Sequence, residues 1–387
     1  MPQLTFSNLY GSFHLERLPH DPTHTLKAWD AADELMLAHY HKYYPEARHP
    51  LILNDNFGAL GVSLYKQQPT LVTDSCVSQR AFFANRERNQ LTRLYPARQL
   101  DSLSPLPCAE VVLIKLPKTA RYFDYQLRML NAFLPDNTPV VIGAMNKYLS
   151  NTFYQLCQQL LEGTTTSRAH KKARLVCGYT DTCNNNPLEN VSAEVLELPD
   201  YDLTLFNAPH VFSSGKLDIG SRFFLNNFPN LDGCKKLIDL GCGNGVLGLM
   251  AMKQNPQLDV TFVDESYHAI CAAKASVSFL LGNKTRTQPA LTDGERVHFQ
   301  VNHCLDGYAK NSVDTILCNP PFHQQQSVGT RIARQMFRDS AQVLRAGGSL
   351  YVIGNRHLTY HIELKKLFRQ VSVKASDRKF VIYAACK

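Results

Sequence analysis

The sequence has no apolar run approaching the ~20 residues that a bilayer-spanning helix needs, so a membrane-embedded chain is not expected. Its first residues bring acidic and polar side chains early. The basic, apolar and small-residue succession of a secretory leader is missing, and export is not expected either. The 11 cysteines are odd in number and scattered, and no two of them form a C-x-x-C pair. That argues against a disulfide framework and a structural zinc site, and for reduced thiols in the cytosol with no bound metal. Charge of one sign does not dominate any half: the net +8 divides into +3 over residues 1–190 and +5 over residues 191–387. Such an excess permits a polyanionic partner such as RNA without demanding one. Disorder is excluded by a 44% hydrophobic and 19% charged composition. A chain of 387 residues suggests two domains.

The second half shows its plan most openly. Lys236–Leu240, Asp259–Val263, Val297–Val301, Val313–Cys318 and Ser349–Gly354 read as short buried strands. Helices are expected through Gly248–Lys253, Ala269–Leu281 and Arg331–Leu344, the last closed by Ala346-Gly347-Gly348 as a stop. Strands that alternate with helices imply a parallel sheet with crossover helices.

The first half repeats this plan. LILNDNFGALGVSL (51–64) matches LIDLGCGNGVLGLM (237–250), with Gly58 over Gly245 and Gly61 over Gly248. VVLIKLPK (111–118) sits where TILCNPPF (315–322) sits, and PVVIGAMN (139–146) matches LYVIGNRH (350–357). Three matches in one order point to a duplicated fold. The copies are unequal: Gly241 and Gly243 become Asn54 and Asn56, while Asn319 and Phe322 become Lys115 and Lys118. The first copy thus keeps the strands and loses the turn chemistry. It can retain the fold, and hold RNA, without catalysis. An Asn-rich stretch at Thr180–Val191 reads as the linker, giving domains of 1–185 and 186–387.

The run Asp239-Leu240-Gly241-Cys242-Gly243-Asn244-Gly245 follows a strand and opens a helix. Glycines there allow positive φ and a close approach of a ligand to the backbone. Gly243, Gly245 and Gly248 satisfy G-x-G-x-x-G, with Asp264 about 20 residues on, as in a nicotinamide-dinucleotide fold. The pattern D-x-G-x-G-x-G also resembles the cofactor loop of class I S-adenosylmethionine-dependent methyltransferases. That resemblance implies that Asp239 faces the amino-acid end of the cofactor. Gly241, Gly243 and Gly245 would make room for it, and Asp264 would accept both ribose hydroxyls, a role that Glu265 shares. A carboxylate at a strand end suits a vicinal diol in either reading. The plainer role for Asp264 is a helix cap, but Ser266 is the better cap candidate. Asn302 or His303, at the next strand end, is expected at the adenine amino group.

Asn319-Pro320-Pro321-Phe322 follows the fourth strand, at the carboxyl edge of the sheet. Asn319 offers an amide oxygen. Pro320 has no N–H and a fixed φ, so its carbonyl can be held outward as a second acceptor. Pro321 stiffens the turn and Phe322 supplies a flat face. Two acceptors and a stacking plate make a receptor for a planar molecule that carries an –NH2 group. They would hold a poorly nucleophilic amine in line with a methyl donor and stabilise the charge that grows on nitrogen. A dehydrogenase has no use for such a receptor.

NPPF is shared by methyltransferases of adenine N6, guanine N2 and glutamine N5. With VFSSGKLDIGSRFFL (211–225), LILNDNFGAL, VVLIKLPKT, TTTSRAHKKARLV, VDES, CNPPFHQQ and NRHL, the chain resembles the bacterial ribosomal RNA guanine-N2 methyltransferases over essentially its full length. It is most similar to their large-subunit branch. The resemblance implies an α/β fold of two tandem Rossmann-like class I methyltransferase domains, the N-terminal one degenerate and concerned with RNA recognition. It implies S-adenosyl-L-methionine as cofactor, 23S rRNA as partner and N2-methylguanosine as product. A cytoplasmic enzyme is expected, acting as a monomer. Asn319, Pro320 and Phe322 are then expected to be catalytic, with Pro321, His323 and Gln324 around the target base. Arg168, Lys171, Lys172 and Arg174 form a basic cluster suited to RNA phosphates, and Arg331, Arg334 and Arg338 recur at helical spacing.

Overall fold

Runs such as Val112–Lys115 and Val313–Cys318 are apolar on both faces, as strands covered by helices on each side must be. A computed structural model describes residues 4–19, 26–92, 98–183, 194–209, 211, 216–282, 296–321 and 327–387. The chain divides into two compact units, Met1–Ser192 and Ala193–Lys387.

The first unit opens with a hairpin, β1 (Thr5–Asn8) and β2 (Gly11–His14), then α1 (Ala31–Tyr43). There follow β3 (Leu51–Leu53), α2 (Ala59–Ser63), β4 (Thr70–Thr73), α3 (Cys76–Arg88), β5 (Arg98–Asp101), β6 (Val112–Lys115) and α4 (Ala120–Phe133). β7 (Pro139–Met145), α5 (Asn151–Leu160), β8 (Leu161–Thr166) and β9 (Ala173–Thr180) complete it. The second unit also opens with a hairpin and a helix: β10 (Glu194–Leu198), β11 (Leu203–Asn207) and α6 (Ile219–Asn226). Next come β12 (Lys236–Leu240), α7 (Val246–Gln254), β13 (Asp259–Asp264), α8 (Tyr267–Leu280), β14 (Val297–Val301), β15 (Val313–Cys318) and α9 (Ser327–Val343). β16 (Leu344–Asn355), α10 (Tyr360–Lys365), β17 (Gln370–Ser376) and β18 (Phe380–Cys386) end the chain.

The two sheets have the same order, β5-β4-β3-β6-β7-β9-β8 and β14-β13-β12-β15-β16-β18-β17. In both, the first five strands run parallel and the penultimate one antiparallel. The duplication read from three segments therefore covers the whole topology, including the leading hairpin and helix. The strand order reverses between β12 and β15, which opens a crevice at their carboxyl ends. Consecutive residues of each strand feed opposite cores. Leu237, Leu317 and Ile353 pack with Phe262 on one face, while Ile238, Ile316 and Val352 pack with Phe337 on the other. Each such buried side chain contributes about 1.5–3 kcal/mol, which holds the strand ends rigid beneath the crevice.

Two expectations are corrected. Ala346-Gly347-Gly348 does not stop a helix; it lies within β16, in an irregularity where Val313 faces Leu344 and Thr315 faces Ser349. The reason is that Lys387 closes a backbone ladder there, accepting from Gly347 N–H and donating to Gly348 O. Thr180 is not linker but the last residue of β9, its N–H donated to Thr138 O. Part of the expected linker, from residue 184 on, lies outside the described residues. Among the described residues no helix is long and apolar enough to cross a membrane, and no group of three or more His, Cys, Asp or Glu is arranged to hold a metal ion.

Candidate active site

The glycine loop leaves β12 and is pinned to the neighbouring strand: Gly241 and Cys242 both donate their N–H to Val263 O, at 2.8 and 3.0 Å. Gly243 sits at φ +54 with nothing within 4 Å of where a Cβ would stand, so that side of the loop is open. Gly241, at φ +72, lies beside the next loop; a Cβ there would meet Met336 Cε at 3.2 Å and come within 3.9 Å of Asn319 O. Gly245 is enclosed on more sides. Its Cβ would meet Leu249, Ala273 and Phe262 at 3.1–3.2 Å, so the room it makes is for the core rather than for a ligand.

Asp239 is 1% exposed and accepts the Gly248 N–H at 2.8 Å, so it braces the start of α7 from beneath the loop. Burial pushes its carboxyl up to about 8; the Gly248 N–H opposes that shift and nearby Asp264 adds to it. Asp264 is half-buried at the end of β13, where it accepts Gly243 N–H and Ser266 N–H, each at 3.0 Å. The cap of α8 is Ser266, which accepts from Ala269 N–H. Glu265 is exposed beside it. Asn302 is buried and its amide is engaged within its own turn, donating to Asp306 O and accepting from His303 N–H. His303 is the more accessible of the two.

Asn319 follows β15. Its Nδ2 donates to Ser221 Oγ at 2.9 Å, while its Oδ1 is buried with no hydrogen-bond partner. Pro320 is buried and Pro321 half-buried; Phe322, His323 and Gln324 lie outside the described residues. Ser221, 6% exposed, stands in the first turn of α6, whose cap Asp218 accepts the Ser221 N–H at 3.0 Å. The glycine loop is also held by Asn207, at the end of β11, whose Oδ1 accepts from Asn244 at 2.8 Å. The Nδ2 of Asn207 is a second buried polar atom without a partner. Sequence reasoning did not single out Ser221, Asp218 or Asn207. The local signs of the first two were a D-x-x-S cap at the start of a helix and their place in VFSSGKLDIGSRFFL.

In the first unit the corresponding crevice is filled. Asn54 keeps the left-handed turn of Gly241, at φ +64, but its side chain donates to Lys115 O and exchanges amide bonds with Gln126, all at 2.9 Å. Lys115, in the place of Asn319, lies 2.8 Å from Asp30 and 2.9 Å from Asp33. Thr73 stands where Asp264 does. Lys115 is therefore committed inward and is not a free cation for RNA. The other basic residues are differently placed. Arg168, Lys171 and Lys172 are exposed around the β8–β9 hairpin, with Lys171 paired to Glu34 at 2.8 Å. Arg174, within β9, is half-buried and its Nε has no partner. On α9, Arg334 and Arg338 are exposed and Arg331 is half-buried, Arg334 lying 3.5 Å from Glu363.

The open face at Gly243, the strand-end Asp264 and the unpartnered Asn319 Oδ1 fit a cofactor with a ribose diol lying against a second, amine-bearing molecule. Each sheet, with five parallel strands and a single antiparallel strand inserted beside the last, has the class I methyltransferase fold. The same fold over nearly the whole chain is found in a T. thermophilus 16S rRNA N2 methyltransferase solved with AdoMet and guanosine. The two are 17% identical at a TM-score of 0.76, covering 99% of this chain and 97% of that one. Family models described as "RLMG N-terminal domain" and "Methyltransferase small domain" match residues 3–186 and 202–384. Proteins named ribosomal RNA large subunit methyltransferase G are 41% identical in Pseudoalteromonas translucida, over 97% of this chain and 96% of theirs. In Erwinia tasmaniensis the identity is again 41%, over 100% of both chains. The chain belongs to the ribosomal RNA large subunit methyltransferase G family.

Proposed function

We propose that this chain transfers the methyl group of S-adenosyl-L-methionine to the exocyclic N2 amine of one guanine in 23S rRNA. The observation that carries this reading is the Asn319 amide: its nitrogen is engaged by Ser221 and its oxygen is buried and unpartnered. A buried acceptor without a donor costs about 1–3 kcal/mol, so it is a site awaiting an N–H. An exocyclic base amine supplies two. Asn319 Oδ1 and the Pro320 carbonyl each accept one of them, which aims the nitrogen and stabilises the positive charge it gains. No strong base is required, because the proton becomes acidic only as the new bond forms. When bound, the cofactor supplies an electrophilic methyl on its sulfonium. Asp264 accepts the ribose hydroxyls with Glu265 beside it. Gly243 leaves the loop backbone open to the cofactor and Gly241 gives the loop its left-handed turn beside Met336, while Asp239 and Gly245 hold the loop in shape. His303, with Asn302 fixing its turn, lies on the adenine side.

Phe322, His323 and Gln324 follow Pro321 directly in the chain and are assigned to the target base, Phe322 by stacking. The first unit, with its crevice filled by Asn54 and Lys115, is assigned to RNA recognition through Arg168, Lys171, Lys172 and Arg174. Ribosomal RNA places the reaction in the cytosol, and every assigned role is met by one copy of the chain. Nucleoside mass mapping of rRNA from a strain lacking the gene tests the reading. N2-methylguanosine should fall in 23S and not in 16S rRNA; an unchanged level in 23S rRNA refutes it.

A further inference from the structure

An amide oxygen can serve as an acceptor only if the amide is the right way round, and the two orientations of an Asn side chain are nearly equal in shape. Packing alone does not choose between them. The neighbours of Asn319 do. Its amide nitrogen meets Ser221 Oγ at 2.9 Å, and that hydroxyl lies 3.5 Å from Asp218 Oδ2, a long contact. A hydroxyl both donates and accepts, so by itself it would pair with either end of the amide. A carboxylate only accepts. Asp218 therefore draws the Ser221 proton toward itself, leaving the Ser221 lone pairs to face Asn319. Only the N–H end of the amide can answer them, and the oxygen is turned to the crevice.

We propose that Ser221 is a positioning residue for methyl transfer and that Asp218 sets its polarity. The directed chain Asn319 N–H to Ser221 O–H to Asp218 carboxylate presents Asn319 Oδ1 to the substrate amine. This rests on the reading of Asn319 as the amine receptor. The first unit supports the idea that this contact is built into the fold. There too a strand-end side chain reaches the first turn of the helix after the hairpin, but Lys115 meets two carboxylates, Asp30 and Asp33. The Lys115 ammonium and both oxygens of buried Asp33 are spent on neighbours.

The role separates from a merely structural one by four variants of the full-length protein. Asp218→Asn keeps a good helix cap, since Asn and Asp cap about equally well. The carboxylate oxygen that caps the Ser221 N–H is also the one nearest its hydroxyl, so Asp218→Asn keeps an acceptor there and serves as the conservative control. Asp218→Gly removes the acceptor while remaining a tolerated helix cap, so the Ser221 hydroxyl is free to donate to Asn319 and the amide can turn over. Ser221→Ala removes the link, and Ser221→Thr retains the hydroxyl. Turnover on 23S rRNA is expected to fall about 10- to 100-fold in Asp218→Gly and Ser221→Ala and to stay near wild type in Asp218→Asn, with cofactor affinity and melting temperature close to wild type. Ser221→Thr should recover most of what Ser221→Ala loses. A second readout needs no cofactor: binding of guanosine against inosine, which lacks the 2-amino group, measured by calorimetry or NMR titration. The intact protein should prefer guanosine, and both damaging variants should lose that preference while binding inosine unchanged. Unaltered turnover and preference in Ser221→Ala would overturn the proposal, as would parallel losses in stability and cofactor binding. If the intact protein shows no preference for guanosine, it is the amine-receptor reading that fails, and the positioning role falls with it.

Discussion

Lys115 Nζ lies 2.9 Å from Asp33 Oδ1, at the place in the first unit where Asn319 meets Ser221 in the second. The two pairs occupy matching positions in matching sheets. One is an ion pair that closes a crevice; the other leaves an acceptor unpaired beside an open one. Burial by itself would lower the Lys115 ammonium, but Asp33 and Asp30 outweigh it and hold it above the ordinary lysine value.

That ion pair makes a stability prediction. Lys115→Ala strands the Asp33 carboxylate, 4% exposed, without its partner. The loss should be about 3–5 kcal/mol in the first unit, seen as an earlier transition in urea. A change below about 1 kcal/mol would mean that water or another group replaces the ammonium.

Filling of the first crevice by Asn54 and Lys115 predicts one cofactor per chain. Calorimetry with S-adenosylmethionine on the full-length protein should give a stoichiometry near one, and Asp264→Ala should abolish it. Residual tight binding in Asp264→Ala would locate a second site in the first unit.

Asn319→Ala should lower turnover by about 100-fold or more, the scale of deleting one preorganised polar contact to a developing charge. Cofactor affinity should stay near wild type, because the role proposed for Asn319 is at the substrate amine and not at the ribose. Equal loss of both would make Asn319 a structural residue.

Two buried carboxyls give the fold a pH dependence. Burial raises Asp239 to about 8, and it raises Asp55, which accepts Ala59 and Gly61 N–H in the first unit, to about 7. An acid raised above its unfolded value of 3.8 favours the folded state when protonated. Its stabilising effect is complete below about pH 4 and is lost as pH rises through 7 and 8. Urea midpoints should therefore decline from pH 5 to 9 on account of these groups, and Asp239→Asn should flatten the decline in the second unit. An unchanged slope in that variant would show Asp239 ionised at neutral pH.

RNA binding through the β8–β9 hairpin predicts a salt signature. Replacing Arg168 or Lys172 by Ala should weaken binding of 23S rRNA fragments of any sequence and reduce the salt slope by about one unit each. Lys171 should matter less, since Glu34 already pairs with it. A slope unaffected by both substitutions would place the RNA elsewhere.

Much of this protein is legible in linear order. β12 and β15 run as their apolar stretches indicate, because a strand buried on both faces needs only a local run of apolar residues, and β14, at the sheet edge, runs as its alternation of apolar and polar residues indicates. The glycine loop, Ser266 as the cap of α8 and the prolines after Asn319 are likewise local chemistry. Comparing the halves also showed that the first has Lys115 and Lys118 in the places of Asn319 and Phe322. What the sequence could not decide were partnerships across distance. Asn319 and Ser221 are 98 residues apart and Lys115 and Asp30 are 85 apart, and no periodicity or spacing marks such pairs. Nor does a run of glycines say which one faces a ligand: Gly243 looks into the crevice and Gly245 into the core. The sequence by itself determined which groups were available. The tertiary structure decided which of them are used up on neighbours, because a hydrogen bond is satisfied by whatever the fold brings within 3 Å. That choice left Asn319 Oδ1 unpartnered and Lys115 paired.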